Sequence, residues 1–309
     1  MDSQGDCPQN SHEMSEKGSV PMSEESEKGS VPMNFQGDCP QNSREMREMG
    51  SVPMNSAPTQ AIFARIAGCY DILNRVMTCG IDILWRRRAL TALRSSLKGS
   101  VPDAFKGTVP LAILDEATGT ADFAIGAAKK FPSARITGID MSAPMLAVGR
   151  QKVAKAGLAD RVTLLEGNAE ALALPDSSCD GVMCAFGYRN FPHKNLALAE
   201  AARVLKPEGR LLVLELFRIE SRFFAWFTSL WLDLLARFFP RSLRSDYVYL
   251  RGSIEKTASA VEFKNLAESA GFTLLADSFY LPSCHCLLFE RGHTVEDEAV
   301  TSRPPAKVV

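Results

Sequence analysis

The chain has eight cysteines but no Cys-x-x-Cys pair, so it lacks the usual signature of a redox dithiol or a thiolate zinc site. It has no excess of basic residues, with 35 Lys and Arg against 36 Asp and Glu, and so offers little of the phosphate neutralisation that dominates nucleic-acid binding. No nucleic-acid partner is expected. There is no basic-then-apolar leader at the start, and with the cysteine pattern this predicts a reducing cytoplasm. An uninterrupted apolar run of membrane-spanning length is missing too: 222–239 is short and carries Asp233 and Arg237, each costing roughly 2.5–3.5 kcal/mol at a bilayer centre. Residues 1–58 are almost empty of aromatic and β-branched side chains and repeat themselves, with Gly-Ser-Val-Pro-Met at Gly18, Gly29 and Gly50. Such a segment buries too little to offset its ordering entropy, so a disordered tail is predicted over 1–58, with a second over 293–309 and linkers at Gly99–Pro102 and Gly107–Pro110.

The informative residues begin at Ile113. Ile113 to Asp122 reads as a buried strand, a glycine turn and a helix start edged by carboxylates. A dinucleotide site leaves its helix N-terminus bare for a pyrophosphate, whereas Asp122 is placed here to cap those N–H groups and repel phosphate. The pattern suits S-adenosylmethionine, which carries a sulfonium, an ammonium and a ribose diol but no phosphate. Asp140 closes the next apolar run, 135–140, at about the twenty-residue distance where a nucleotide fold places its ribose acid.

The chain then alternates strands and helices as a doubly wound sheet does. Helices are predicted over 123–131, from a Ser142 cap to Gly157, over 195–205, and from Ser259 to a glycine stop at Gly271; strands are predicted at 162–165, 179–186, 210–216, 273–280 and 284–290. Lys206 to Gly209 reads as a turn. Asn168 follows the third strand, where it either holds an adenine amino group beside the Ala169 N–H or closes its own turn. Arg86-Arg87-Arg88 reads as the solvated face of a helix, and Cys284-His285-Cys286 as core strand with no metal. Residues 222–239 have helical period, an apolar face and a polar one, which fits a core helix or a lid resting on a membrane.

Taken together, residues 60–292 resemble the ubiquinone/menaquinone biosynthesis C-methyltransferase family. The similarity runs in order through Phe63 to Asn74, Trp85-Arg86-Arg87, Asp115 to Asp122, Gly138 to Ser142, Gly167 to Glu170, Phe186 to Asn190 and Arg203 to Glu215. Tyr-Asp-x-x-Asn at Tyr70 and Phe-Gly-x-Arg-Asn at Phe186 are its most particular motifs. The resemblance implies a Rossmann-like α/β class I fold with a seven-stranded, mostly parallel sheet over 59–292, a helical substrate-side segment at 59–98 and an amphipathic insertion at 218–258. It implies S-adenosyl-L-methionine as cofactor, contacted by Asp115, Gly119, Thr120, Asp140, Asn168 and Ala169. A polyprenylated quinol would be C-methylated, with demethylmenaquinol preferred over a benzoquinol, and Arg189, Asn190 and Tyr70 would face it. Arg189 suits a developing phenolate because it stays charged and donates two hydrogen bonds; Tyr70, Asp71, His193 or a water would take the proton. Peripheral contact with the inner face of a membrane is expected, and a homodimer is left open. An enzyme acting on another lipid or small molecule, or a non-catalytic cofactor-binding module, are the competing readings. Three positions depart from the family: Ala121 stands for a second glycine, Ala185 for a small hydroxyl residue, and Leu281 to Cys284 for a glycine-rich segment. Alanine at 121 is tolerable where φ is negative.

Overall fold

The computed structural model describes residues 57–100, 110–219, 226, 230, 257–280 and 283–292. The expectations for residues 1–56, for 101–109, for most of the insertion including the helix at 222–239, for 281–282 and for 293–309 lie outside the described residues. Helices α1 (Ala57–Ile66), α2 (Tyr70–Met77) and α3 (Ile81–Ser100) come first, so α1 begins inside the expected tail and α3 runs through Gly99, expected as linker.

The sheet follows: β1 (Ala112–Glu116), α4 (Asp122–Lys130), β2 (Arg135–Asp140), α5 (Ala143–Lys155), β3 (Val162–Glu166) and β4 (Cys179–Ala185). A single 3-10 turn (Tyr188–Asn190), α6 (Lys194–Val204), β5 (Leu205–Leu216), α7 (Ala260–Ser269), β6 (Phe272–Tyr280) and β7 (Cys284–Arg291) complete it. Strand order is β3-β2-β1-β4-β5-β7-β6, parallel except for β7, which is antiparallel to both neighbours. The order reverses between β1 and β4, and a crevice opens there at the carboxyl ends of the strands.

Because the strands are buried on both faces, consecutive apolar residues serve opposite layers. Ile113, Met183 and Leu212 pack with α3, α4 and α5, through Leu93, Phe123 and Leu146; Leu114, Val182 and Leu211 pack with α6 and α7, through Leu198 and Phe263. Each fully buried side chain of this size contributes about 1.5–3 kcal/mol. Local signals set the ends. Ser259 and Glu262 form a reciprocal capping box on α7, and Gly271, at φ 87°, stops it. The expected turn at Lys206 to Gly209 is instead absorbed into β5, where pairing with β4 shifts between Cys179 and Gly181 and Glu208 takes φ 59°. Ladder bonds on either side hold the irregularity in the strand. Cys284 and Cys286 are buried in β7, and His285 Nδ1 lies 2.8 Å from Asp277 Oδ1 on β6.

Candidate functional site

The glycine turn after β1 is strained. Ala117, Gly119 and Ala121 have φ of 53°, 55° and 64°, which suits glycine and disfavours alanine. The negative φ under which alanine is readily tolerated at 121 is therefore not met: the helix is entered through a left-handed residue. The turn is held from beneath, where the Thr118 N–H donates to Ile139 O at 3.0 Å and its hydroxyl to Asp115 Oδ2 at 2.6 Å. Asp115 is buried beneath the turn, and burial pushes its carboxyl up to about 7.

Asp122 does not cap α4. Ala121 is the N-cap and has no side chain to make a cap bond, while the buried Asp115 carboxyl accepts from the Ala124 backbone in the first turn. Asp122 instead accepts from Lys152 Nζ at 2.5 Å and Arg75 at 3.0 Å, and the same lysine reaches Asp71 Oδ2 at 2.6 Å. Thr120 donates its hydroxyl to Asp71 Oδ1 at 2.6 Å. Two cations meet two carboxylates, so Asp122 is neutralised and cannot be what repels a phosphate. That task falls to Asp140, whose Oδ2 accepts the Gly119 N–H at 2.8 Å and whose Oδ1 accepts the Ser142 N–H at 2.8 Å. The turn amide that would bind a phosphate is already taken by a carboxylate. Ser142 is the N-cap of α5 by position, but its hydroxyl makes no cap bond. Sequence reading missed Lys152, which lies on α5 in no recognisable motif.

After β3, Asn168 Oδ1 accepts the Glu170 N–H at 2.9 Å, closing its own turn. A carbonyl oxygen has a second lone pair, and its amide has two donors, so the turn does not use up the side chain. Glu170 accepts the His193 N–H at 2.8 Å and lies 3.1 Å from His193 Nδ1, joining the β3 loop to the β4 loop.

The β4 loop carries the largest difference from expectation. Phe186 takes φ 62°, and Gly187 follows where a Cβ would stand 2.6 Å from Cys184 Sγ and 2.8 Å from Ala117 Cβ. Only glycine lets the β1 and β4 turns touch. Arg189 then turns inward, with its side chain 5 % exposed. Its Nη1 donates to Glu215 Oε1 at 2.8 Å and to Phe186 O at 2.6 Å, and its backbone N–H donates to Glu215 Oε2 at 3.1 Å. The guanidinium is held through Nη1, while Nε has no partner, and it stands outside the cavity lining because β5 places an acidic residue behind the turn. Glu200 on α6 is bound to Arg203 instead. Tyr188 is buried on the other side of the turn, and its hydroxyl donates to Glu116 Oε2 at 3.1 Å. Glu116 is fully buried with Oε1 unpartnered, and burial pushes its carboxyl up to about 8. Neither glutamate was singled out from sequence, since each reads as part of an apolar strand. Arg86, expected on a solvated face, lies 5.0 Å over the Phe186 ring, while Arg87 and Arg88 are exposed.

These turns enclose an open cavity of about 830 Å³. Gly119, Asp140, Asn168 and Ala169 line it together with Tyr70, Asn190 and Phe63, which stacks edge-on to Tyr70. Of the expected site residues, Asp115, Thr120 and Arg189 stand behind the lining. Asp71 and His193 are also outside it, engaged by Lys152 and Glu170.

Comparison with known proteins then decides the family. Residues 52–280 match the model of the ubiE/COQ5 methyltransferase family. The chain belongs to that family. It is 39 % identical over 216 residues to the ubiquinone/menaquinone biosynthesis C-methyltransferase UbiE of Geobacter sulfurreducens, covering 68 % of this chain and 79 % of that protein. It is 36 % identical over 216 residues to the demethylmenaquinone methyltransferase of Thermus thermophilus, covering 69 % and 92 %. Among solved structures it resembles a candidate S-adenosyl-L-methionine-dependent methyltransferase of Methanococcus maripaludis, with a TM-score of 0.52, 16 % identity, and coverage of 75 % of this chain and 94 % of that one. The fold is the Rossmann-like class I methyltransferase fold that the sequence predicted.

Proposed function

We propose that this member of the ubiE/COQ5 family transfers a methyl group from S-adenosyl-L-methionine to a ring carbon of a polyprenylated quinol, converting demethylmenaquinol to menaquinol. The observation that carries the reading is one cavity lined by Asp140 together with Tyr70 and Asn190. The names of the relatives support the quinol, and that of the Geobacter protein extends to a benzoquinol.

The residues present fit the cofactor. Asp140 accepts the backbone N–H groups of Gly119, Ser142 and Met141, and a carboxylate with about four acceptor positions keeps one for a ribose hydroxyl. Asn168 and the Ala169 N–H hold the adenine edge, and Gly119 lets the chain approach the ligand closely. Thr120 acts through its backbone, its hydroxyl being committed to Asp71. When bound, the cofactor supplies an electrophilic methyl on a cationic sulfur. The chain's task is to hold the acceptor carbon about 3–3.5 Å from it in line, which can supply roughly 7–11 kcal/mol of rate enhancement.

Asn190 and Tyr70 face the quinol. Among the four proton acceptors considered, Asp71 and His193 are held elsewhere, which leaves Tyr70 and solvent. Arg189 acts from behind the lining as a fixed positive charge.

Membrane contact fits the surface of α2 and α3, where Ile72, Val76, Ile81 and Leu84 are exposed beside Arg87 and Arg88. Trp226 and Leu230, the two described residues of the expected amphipathic helix, are helical and exposed as well. No helix among the described residues is long and apolar enough to cross a bilayer. Such contact brings the cavity to a lipid-borne substrate at the membrane face.

Incubation of the purified chain with methyl-labelled cofactor and reduced demethylmenaquinone tests the reading. Label should enter the quinone in proportion to S-adenosylhomocysteine formed; cofactor binding without transfer to any quinol would reduce the protein to a binding module.

A further inference from the structure

The 3-10 turn that carries Asn190 has no helix or strand of its own to hold it. Two carboxylates distant in sequence do that work, Glu116 through the Tyr188 hydroxyl and Glu215 through Arg189, the neighbour of Asn190. Glu215, at the end of β5 and 1 % exposed, accepts the Arg189 N–H at 3.1 Å through Oε2, and the Arg189 guanidinium at 2.8 Å and the Leu216 N–H at 2.8 Å through Oε1. A single carboxylate thus ties the backbone and side chain of the turn to a central strand. Asn190 is the next residue, and it lines the cavity where Arg189 does not.

We infer that Glu215 is a positioning residue for methyl transfer: it fixes Asn190 at the cavity wall and sets how much of the Arg189 charge the substrate feels. The inference rests on the proposed quinol chemistry. Its geometric part follows from the three bonds, because no neutral side chain of this size accepts from both an N–H and a guanidinium at once through two oxygens. Its electrostatic part follows from the 2.8 Å ion pair in a dry environment, where a counter-charge at contact distance cancels most of the field a guanidinium casts beyond it. Arg189 is therefore a muted cation, and removing Glu215 would unmask it.

Glu215→Gln tests both parts. Turnover of reduced demethylmenaquinone should fall about 10- to 100-fold, as displacement of a reacting group by about 1 Å does. Binding of S-adenosylhomocysteine, followed by calorimetry, should change less than about 3-fold, because Asp140 and Gly119 are untouched. The rising limb of the kcat profile should move to lower pH, since an unmasked Arg189 favours the ionised quinol. Equal losses of turnover and cofactor affinity, turnover within about 3-fold of the parent, or an unshifted limb would each overturn the assignment. A second variant guards against misfolding. Arg189→Met with Glu215→Leu replaces the buried pair by apolar groups of similar volume, a change such sites tolerate. It should melt within a few degrees of the parent and bind S-adenosylhomocysteine while staying slow; full turnover in this variant refutes the role. Failure of the functional reading itself looks different, because the parent chain would then bind S-adenosylhomocysteine and methylate no quinol.

Discussion

Glu116 and Glu215 are the same residue type, sit at the carboxyl ends of β1 and β5, are 0 % and 1 % exposed, and grip the same turn from opposite sides. Their states are opposite. Glu116 meets only the Tyr188 hydroxyl, and desolvation holds its proton up to about pH 8; Glu215 meets a guanidinium and is ion-paired. Burial decides protonation only when no counter-charge is supplied, so one wall of the crevice is neutral by proton uptake and the other by pairing.

The strongest way to break this comparison is to remove one cation. Arg189→Met leaves Glu215 buried and alone, and urea unfolding should show a loss of about 3–5 kcal/mol, whereas Glu116→Gln at pH 6 should cost under about 1 kcal/mol. Similar losses in the two would mean that Glu215 also carries a proton. Asp140 provides the next contrast, a carboxylate at the cavity rather than behind it. Asp140→Ala should weaken S-adenosylhomocysteine binding by about 10- to 100-fold, the worth of hydrogen bonds to a charged group, and titration calorimetry measures it directly.

The pH dependence sharpens the neutral wall. Asp115 and Glu116 have folded-state values of about 7 and about 8, above those of the unfolded chain, so the folded form holds more protons across the interval between. Their contribution to stability is complete below about pH 4 and falls as pH rises to about 8. Melting temperature should therefore decline between pH 5 and 8, and Glu116→Gln should flatten that decline; an unchanged slope would assign the effect elsewhere. The smallest effect concerns Ala121, a non-glycine residue at φ 64°. Ala121→Gly should raise stability by about 0.5–1 kcal/mol, the left-handed penalty less the loss of a buried methyl group. A drop in melting temperature would show that packing of that methyl against α5 prevails.

Much of this protein was readable before its structure. Periodicity placed the strands of the sheet within about two residues except at the start of β5, which begins at Leu205 rather than Arg210, because buried parallel strands are short apolar runs between glycine turns. The switch-point crevice followed from the strand order that such alternation implies. Asp140 was found by its distance from Gly119, a local regularity of the fold. The failures share a cause. Asp122 as a cap, Ser142 as a hydroxyl cap and Arg189 as an open fork were inferred from neighbours in sequence, yet each side chain's environment is set by groups from elsewhere in the chain. Lys152 reaches Asp122 across 30 positions, and Glu215 reaches Arg189 across 26.

The residues in order therefore determined the class of fold, the family and the place of the carboxylate proposed to meet a ribose, since these depend on spacing along the chain. The packed sheet alone decided which charges are cancelled, which carboxyls keep a proton and which polar groups reach the cavity. Desolvation and ion pairing act over a few ångströms of space, and a linear order of residues does not contain those distances.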